Sequence, residues 1–178
     1  MTRIIGGEWR GHSLPKLKGG SVRPTTDRAR TVLFDTLHDV NGMKVLDLYS
    51  GTGALGFEAL SRGARSLVSI DLDSNYIQQQ KTWIKTHEKP FKAYIGDVNK
   101  VLDRISATFD LILADPPYAE GIPPEVLTHI EKHVAVGAIF VYERNRRSES
   151  PLGSKIFDLV KEKVVAETRI QIYKAVEL

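Results

Sequence analysis

The sequence predicts an α/β fold, a mostly parallel sheet with helices on both faces and an antiparallel C-terminal hairpin. Two observations predict it. From residue 43 onward, short apolar runs rich in branched residues alternate with amphipathic segments, the pattern of a parallel sheet covered by helices. The last stretch breaks that pattern, because 163–168 and 169–176 read as two extended segments with no helix between them. A chain of 178 residues suits one domain with a real core and needs neither disulfides nor a structural metal.

In chain order, 1–24 read as an extended or looped extension and 25–178 as the main domain. Thr25, Thr26 and Asp27 supply a cap and a first-turn carboxylate for a helix running to about His38, with Ala29, Leu33 and Leu37 in register. Strands are expected at 44–49, 67–71, 92–95, 110–114 and 138–143, and the two terminal segments make seven. Between them, 54–62 ends at Gly63 as a helix ends at a glycine C-cap, and 75–86 carries Tyr76, Ile77, Trp83 and Ile84 at helical spacing. Further helices are expected at 98–105 and 124–134, the second opening with Pro124 and placing Val126, Leu127, Ile130 and Val134 on one face. No repeat or low-complexity tract interrupts the pattern, and 144–155 read as a polar loop.

With 42% hydrophobic and 26% charged residues the composition is globular. No apolar run approaches the roughly 20 residues that span a bilayer, and the start has no apolar signal core. A cytoplasmic protein with no membrane partner is expected, and the absence of cysteine excludes thiolate chemistry. The net charge of +3 is unevenly placed: residues 1–30 carry +5 and the remainder −2. Arg3, Arg10, Lys16, Lys18, Arg23, Arg28 and Arg30 face only Glu8 and Asp27 there. Such a segment suits a polyanionic partner, or it is a solvated surface kept for solubility.

The run from Val45 through Asp47, Tyr49, Ser50, Gly51 and Gly53 to Gly56 is a strand, a glycine turn and a helix start. Backbone can approach a ligand closely at such a turn. Gly51, Gly53 and Gly56 also satisfy a dinucleotide fingerprint, and Asp71 ends the next strand, where a carboxylate can accept both ribose hydroxyls. A nicotinamide-dependent oxidoreductase is therefore a rival reading. Asp47 discriminates, because a carboxylate there repels a pyrophosphate and attracts a ligand carrying an ammonium and a sulfonium. Opposite unit charges about 4 Å apart gain on the order of several kcal/mol at an effective dielectric near 20. S-adenosylmethionine is the favoured cofactor. The set expected around it is Asp47, Tyr49, Ser50, Gly51, Gly53, Asp71, Leu72, Asp97, Val98 and Asp115. Asp97 reads equally well as an acceptor for the adenine amine and as the N-cap of the helix that follows.

The segment from Phe109 to Ala114 is a buried strand that delivers Asp115, Pro116, Pro117 and Tyr118 to the same edge. The prolines fix two φ angles and remove two N–H donors, leaving carbonyls and a carboxylate that only accept. Such a turn suits an NH₂ group and aims its lone pair at a methyl held on sulfonium sulfur. Tyr118 offers a face for a stacked base, and these four residues are the catalytic candidates. A base inside a duplex cannot present its amine here, so the target is unpaired or flipped out. Acceptor chemistry of this kind serves the N6 of adenine, or an amino group on DNA or protein, as well as an amine on guanine.

These motifs resemble the (D/N)PP(Y/F) class I methyltransferases with a Rossmann-like seven-stranded sheet. Within them the chain resembles the RsmD-like guanine-N2 methyltransferases of bacterial small-subunit ribosomal RNA. The likeness spans nearly the whole chain, including the run from Arg3 to Gly11 and the run from Arg23 to Arg28. It implies a methyl group transferred to the N2 amine of guanine, on an assembling 30S particle, by a protein expected to be a monomer. The basic extension would contact RNA through Arg3, Trp9, Arg10, Arg23, Thr25 and Arg28, although Trp9 reads as an anchor as readily as a stacking ring. Ser50 stands where alanine is expected and Asp71 where glutamate is frequent, and no role is transferred to Arg144.

His129 and His133 lie four apart on a predicted helix but lack the H-E-x-x-H order, so they are read as surface histidines and no metal is expected. Arg146 and Arg147 are read as touching RNA phosphate or as part of a solvated loop.

Overall fold

The computed structural model describes residues 2–14, 26–117, 121–147 and 152–176. Its elements are α1 (Asp27–Leu37), β1 (Lys44–Leu48), α2 (Ala54–Ser61), β2 (Ser66–Asp71), α3 (Ser74–Ile84), β3 (Phe91–Ile95) and α4 (Val98–Leu102). β4 (Phe109–Ala114), α5 (Pro124–Glu131), β5 (Val134–Asn145), β6 (Phe157–Val165) and β7 (Thr168–Ala175) follow. The seven strands form one sheet in the order β3-β2-β1-β4-β5-β7-β6. Strands β1 to β5 pair in parallel, and β7 pairs antiparallel with both β5 and β6.

Alternation along the strands sorts the core into two layers. Val45, Leu67, Leu111, Leu113, Val141, Ile170 and Ile172 pack beneath α1 and α2 with Leu33, Phe34, Phe57 and Leu60, and Ile84 of α3 joins them. Leu46, Leu48, Ile70, Ile112, Phe140 and Tyr173 pack on the other face against α4 and α5. Most boundaries match the sequence pattern, and two differ for physical reasons. α5 stops at Glu131, and Val134 opens β5 instead of closing the helix: it pairs with Phe109, after which the register with β4 slips around Gly137, at φ 74°. β6 begins at Phe157, ahead of the expected 163. It is an edge strand with charges on both faces, and it turns at Ala166, φ 53°, without a glycine to mark the place.

His133 is a correction: the structure buries it, with Nδ1 2.9 Å from the Ala107 carbonyl and Nε2 3.1 Å from that of Leu102. His129 pairs with Asp103 at 2.7 Å, so both histidines tie α5 to the segment around α4.

The first described residues lie along α2. Ile5 N–H donates to Glu58 Oε2 at 2.8 Å, Glu8 and Trp9 N–H to the carbonyl and hydroxyl of Ser61 at 2.8 and 2.9 Å, and the Ser61 hydroxyl to the Gly6 carbonyl at 2.6 Å. Glu58 is fully buried and also accepts from Arg62 Nε at 2.8 Å. Ile4, Trp9 and Leu14 enter the α1–α2 layer of the core, and an Arg3–Ser13 bridge closes the loop. The buried Arg30 guanidinium donates through Nη2 to the Arg3 carbonyl and to Asp27, each at 2.7 Å. Residues 2–14 thus share the core of the domain while keeping their charged tips outside.

This docking leaves no room at Gly7, whose φ is +75° and where a Cβ would sit 1.9 Å from the Ser61 carbonyl oxygen. Gly7→Ala is expected to lower the melting temperature by roughly 5–10 °C. Gly11→Ala has φ +89° but open space around its Cβ, and it should lower melting less. Equal melting of Gly7→Ala and wild type would show that the extension does not dock this way.

Candidate active site

The strand order reverses between β1 and β4. From β1 the chain moves outward through β2 and β3, and from β4 it moves the other way. In an open sheet the crevice at the carboxyl end of such a switch point takes the ligand. Leu48 and Ala114 are register partners there, so the turn after β1 and the turn after β4 emerge side by side.

The turn after β1 is built around a carboxylate. Asp47 is 1% exposed, and its Oδ2 accepts the Gly56 N–H in the first turn of α2 at 3.0 Å. Gly56 has to be glycine, since a Cβ would lie 2.8 Å from Asp47 Oδ2 and from both Leu67 methyls. Tyr49 holds a left-handed φ of 57°, and Gly53, at φ 79°, caps α2 without a side chain. Burial pushes the Asp47 carboxyl well above the usual carboxylate range; the Gly56 N–H pulls it back, and the charges of Asp115 and Asp71 push it further up.

Asp71 ends β2 and is half-buried. Its Oδ2 accepts the Gly51 N–H at 2.7 Å and its Oδ1 the Asp73 N–H at 2.8 Å. Burial raises its pKa, and those N–H bonds offset part of the rise. Leu72 beside it is 75% exposed, an apolar surface at the ligand edge. Asp97 is exposed and caps α4, accepting the Lys100 N–H at 3.2 Å. Of its two readings the cap is the one present here. Val98 is buried in the core beneath it.

After β4, Asp115 is half-buried, Pro116 buried and Pro117 exposed. Tyr118 lies outside the described residues. Ile122 N–H donates to the Tyr142 hydroxyl at 3.2 Å, and the Arg144 guanidinium lies over the Tyr142 ring, 5.7 Å from its centroid. The end of β5 therefore backs the chain at Ile122.

The residues proposed from the sequence for RNA fall in four groups. Arg3 and Arg28 are exposed, and Arg3 lies 3.6 Å from Asp27 of α1. Arg10 is exposed at the far end of the extension, next to the residues that hold Ser61 at the foot of α2 and away from the ligand edge. Trp9 is 3% exposed with its ring against Trp83 and His87, which fits an anchor. Arg23 and Thr25 lie outside the described residues. Among the described residues no group of three or more His, Asp or Glu could hold a metal, and no helix is long and apolar enough to cross a membrane.

The site suits a cation more than a phosphate. Asp47 occupies the start of α2 where a pyrophosphate would bind, and Asp71 takes the Gly51 N–H that would cradle it. The family described as conserved hypothetical protein 95 matches residues 2–174. The chain belongs to this family. Its relative named ribosomal RNA small subunit methyltransferase D, from Escherichia coli K12, is 33% identical over 179 residues, covering 98% of this chain and 90% of the relative. The solved structure of yhhF from Escherichia coli is 31% identical with a TM-score of 0.87, covering 98% of this chain and 97% of that one. SMU.776, solved in complex with SAH, shares the fold at 16% identity and a TM-score of 0.65, covering 82% of this chain and 48% of that one. This is a methyltransferase family, and its Rossmann-like fold is the one that S-adenosylmethionine-dependent methyltransferases use.

In this family member one residue escaped the sequence reading. Gln80 of α3 is fully buried behind the glycine turn, and its Nε2 donates to the Ser50 hydroxyl at 2.9 Å and to the Gly51 carbonyl at 2.8 Å. A hydroxyl at position 50, where alanine was expected, is thus matched by an amide that grips it. Gln80 Oε1 has no hydrogen-bond partner among the described residues. The only trace in the sequence is a polar residue on the inward side of α3, in a run of three glutamines.

Gln80→Leu keeps the volume and removes the grip. Titration with S-adenosylhomocysteine should show affinity weaker by about 3- to 10-fold, with melting little changed because an orphaned acceptor goes too. Unchanged affinity would mean that the turn holds its shape without Gln80.

Proposed function

We propose that the protein transfers a methyl group from S-adenosylmethionine to the exocyclic N2 amine of a guanine in small-subunit ribosomal RNA. The observation that carries this reading is the convergence of Asp47, Asp71 and Asp115 at the switch point, with Asp47 capping the first turn of α2. That arrangement suits a ligand bearing an ammonium and a sulfonium, and it disfavours the pyrophosphate of a nicotinamide cofactor. The cofactor would supply an electrophilic methyl on a positive sulfur.

Each residue has a part. Asp47 attracts the cationic end of the ligand, and Asp71, its carboxylate already fixed by two backbone N–H groups, accepts from the ribose hydroxyls. Leu72 packs against the adenine, and Asp97 can accept its amine while capping α4. The Asp115 carboxylate and the Pro116 carbonyl accept the hydrogens of the target amine, and the proton released on alkylation leaves to Asp115 or water. Positioning supplies most of the acceleration. Tyr118 is the candidate stacking ring. Arg3, Arg10, Arg23, Thr25 and Arg28 contact the RNA backbone of an assembling 30S particle, to which a monomer in the cytoplasm binds. The name of the Escherichia coli relative favours ribosomal RNA over DNA or protein as the acceptor.

The test is transfer of labelled methyl to unmodified small subunits, free ribosomal RNA and duplex DNA, with the nucleosides then separated. N2-methylguanosine is expected, reduced at least about 100-fold in Asp115→Ala. Labelled N6-methyladenosine, or label in DNA alone, would overturn the acceptor.

Asp47 also predicts an opposition between stability and binding. Its carboxyl is held above the ordinary value of 3.8, so the folded chain keeps a proton that the unfolded chain releases. The stability this group contributes is full below 3.8 and is lost as pH rises through the folded pKa. At neutral pH Asp47→Asn should therefore melt higher in the absence of ligand, by about 2–4 °C for each kcal/mol recovered. It should also bind S-adenosylmethionine at least about 10-fold more weakly. A variant that melts lower and binds normally would remove Asp47 from the site.

A further inference from the structure

We propose that Arg146 and Arg147, at the overhanging end of β5, form a second contact for the RNA backbone, on the opposite side of the Asp115 turn from the cofactor residues. The inference rests on the reading that RNA is the acceptor. Ala114, the last residue of β4, is level with Tyr142, yet β5 continues to Asn145. Beyond the ligand edge β5, β7 and β6 remain paired, Arg144 with Arg169 and Asn145 with Thr168 on one side of β7, Val164 with Arg169 and Val165 with Thr168 on the other. The sheet thus raises a three-stranded wall beside the catalytic turn. Arg146 stands at its rim, about 13 Å along the strand from the level of Ala114 at roughly 3.3 Å per residue. That distance places it by the backbone of nucleotides flanking the target and out of reach of the target base.

The rim is built firmly enough to act as a contact. Arg146 N–H donates to the Glu167 carbonyl at 2.9 Å, Arg147 N–H to Asn145 Oδ1 at 2.9 Å, and Arg169 Nη2 to the Arg146 carbonyl at 2.8 Å. Arg169 is itself held by Glu162 at 3.5 Å. The Arg146 side chain is 51% exposed; its Nη1 donates to the Ala166 carbonyl at 3.5 Å and pairs with Glu167, 54% exposed, at 3.7 Å. An exposed pair of that kind is worth about 0–1 kcal/mol and yields readily to a phosphate, which a guanidinium fork grips with two hydrogen bonds. Arg147 is exposed, and no side-chain partner is seen for it among the described residues. The acids nearby are spoken for: Glu143 is fully buried within electrostatic range of Arg30, and Glu162 accepts from Gln171 at 2.7 Å.

The test compares wild type with Arg146→Gln/Arg147→Gln in binding to small-subunit ribosomal RNA, as a labelled fragment and within unmodified small subunits, over a range of salt. S-adenosylhomocysteine titration and melting are measured on both proteins. RNA affinity should fall about 3- to 10-fold near physiological salt, and the slope of log affinity against log salt should shrink by about 1.5 to 2. Cofactor affinity and melting should be unchanged. RNA binding by the variant with wild-type affinity and slope would overturn the inference and leave the RNA reading standing. If wild type itself binds no RNA, both fall.

Discussion

A carboxylate shut away from water at the start of a helix is the constraint on which this site depends. Asp47 Oδ2 accepts the Gly56 N–H, filling with the protein's own carboxyl group the place where dinucleotide-binding sheets hold a phosphate. Gly56 can carry no side chain, and Leu67 of β2 packs against the same spot. The turn between strand and helix is then squeezed into left-handed backbone at Tyr49, Gly51 and Gly53. Gln80 grips it from behind and Asp71 from the front. A buried acid in such a place is unfavourable for folding alone, and a positively charged ligand relieves it. Strain and charge kept at the mouth of β1 are therefore part of what makes the turn selective for a cation.

The same logic divides the ligand edge. Acidic groups cluster from β1 to β3 and at Asp115, while Arg146 and Arg147 stand at the end of β5 on the other side of the Asp115 turn. A cationic cofactor and a polyanionic acceptor would thus be drawn to adjacent halves of one crevice, with the Asp115-Pro116-Pro117 segment between them. Residues 2–14 are fixed to the fold through Glu58, Ser61 and Arg30, so the charges on them are carried by the rigid domain.

Much of this was legible in the sequence because it is encoded locally. Branched apolar runs gave five parallel strands, and glycine spacing placed the turn. Asp47, Asp71 and Asp115 could be aligned at one edge because each lies at or just beyond the carboxyl end of a strand. The misreadings came where local signals are weak. β6 carries charges on both faces at a sheet edge and turns at an alanine, so its start was placed late. His133 was read as a surface residue because its burial comes from two carbonyls distant in sequence, Leu102 and Ala107. Gln80 and the overhang of β5 were invisible for a similar reason. Their roles arise from the packing of α3 against the turn and from the length of one strand relative to its neighbour.

The most direct test of the central claim is the proton balance of cofactor binding. Calorimetric titration with S-adenosylmethionine, from about pH 4 to pH 8 in buffers of different ionisation enthalpy, counts protons exchanged on binding. If a buried, protonated Asp47 becomes the counter-charge of the ligand, binding releases protons over part of that range, and Asp47→Asn abolishes the release. Heats that do not depend on the buffer at any pH, or a release that persists in Asp47→Asn, would contradict the account.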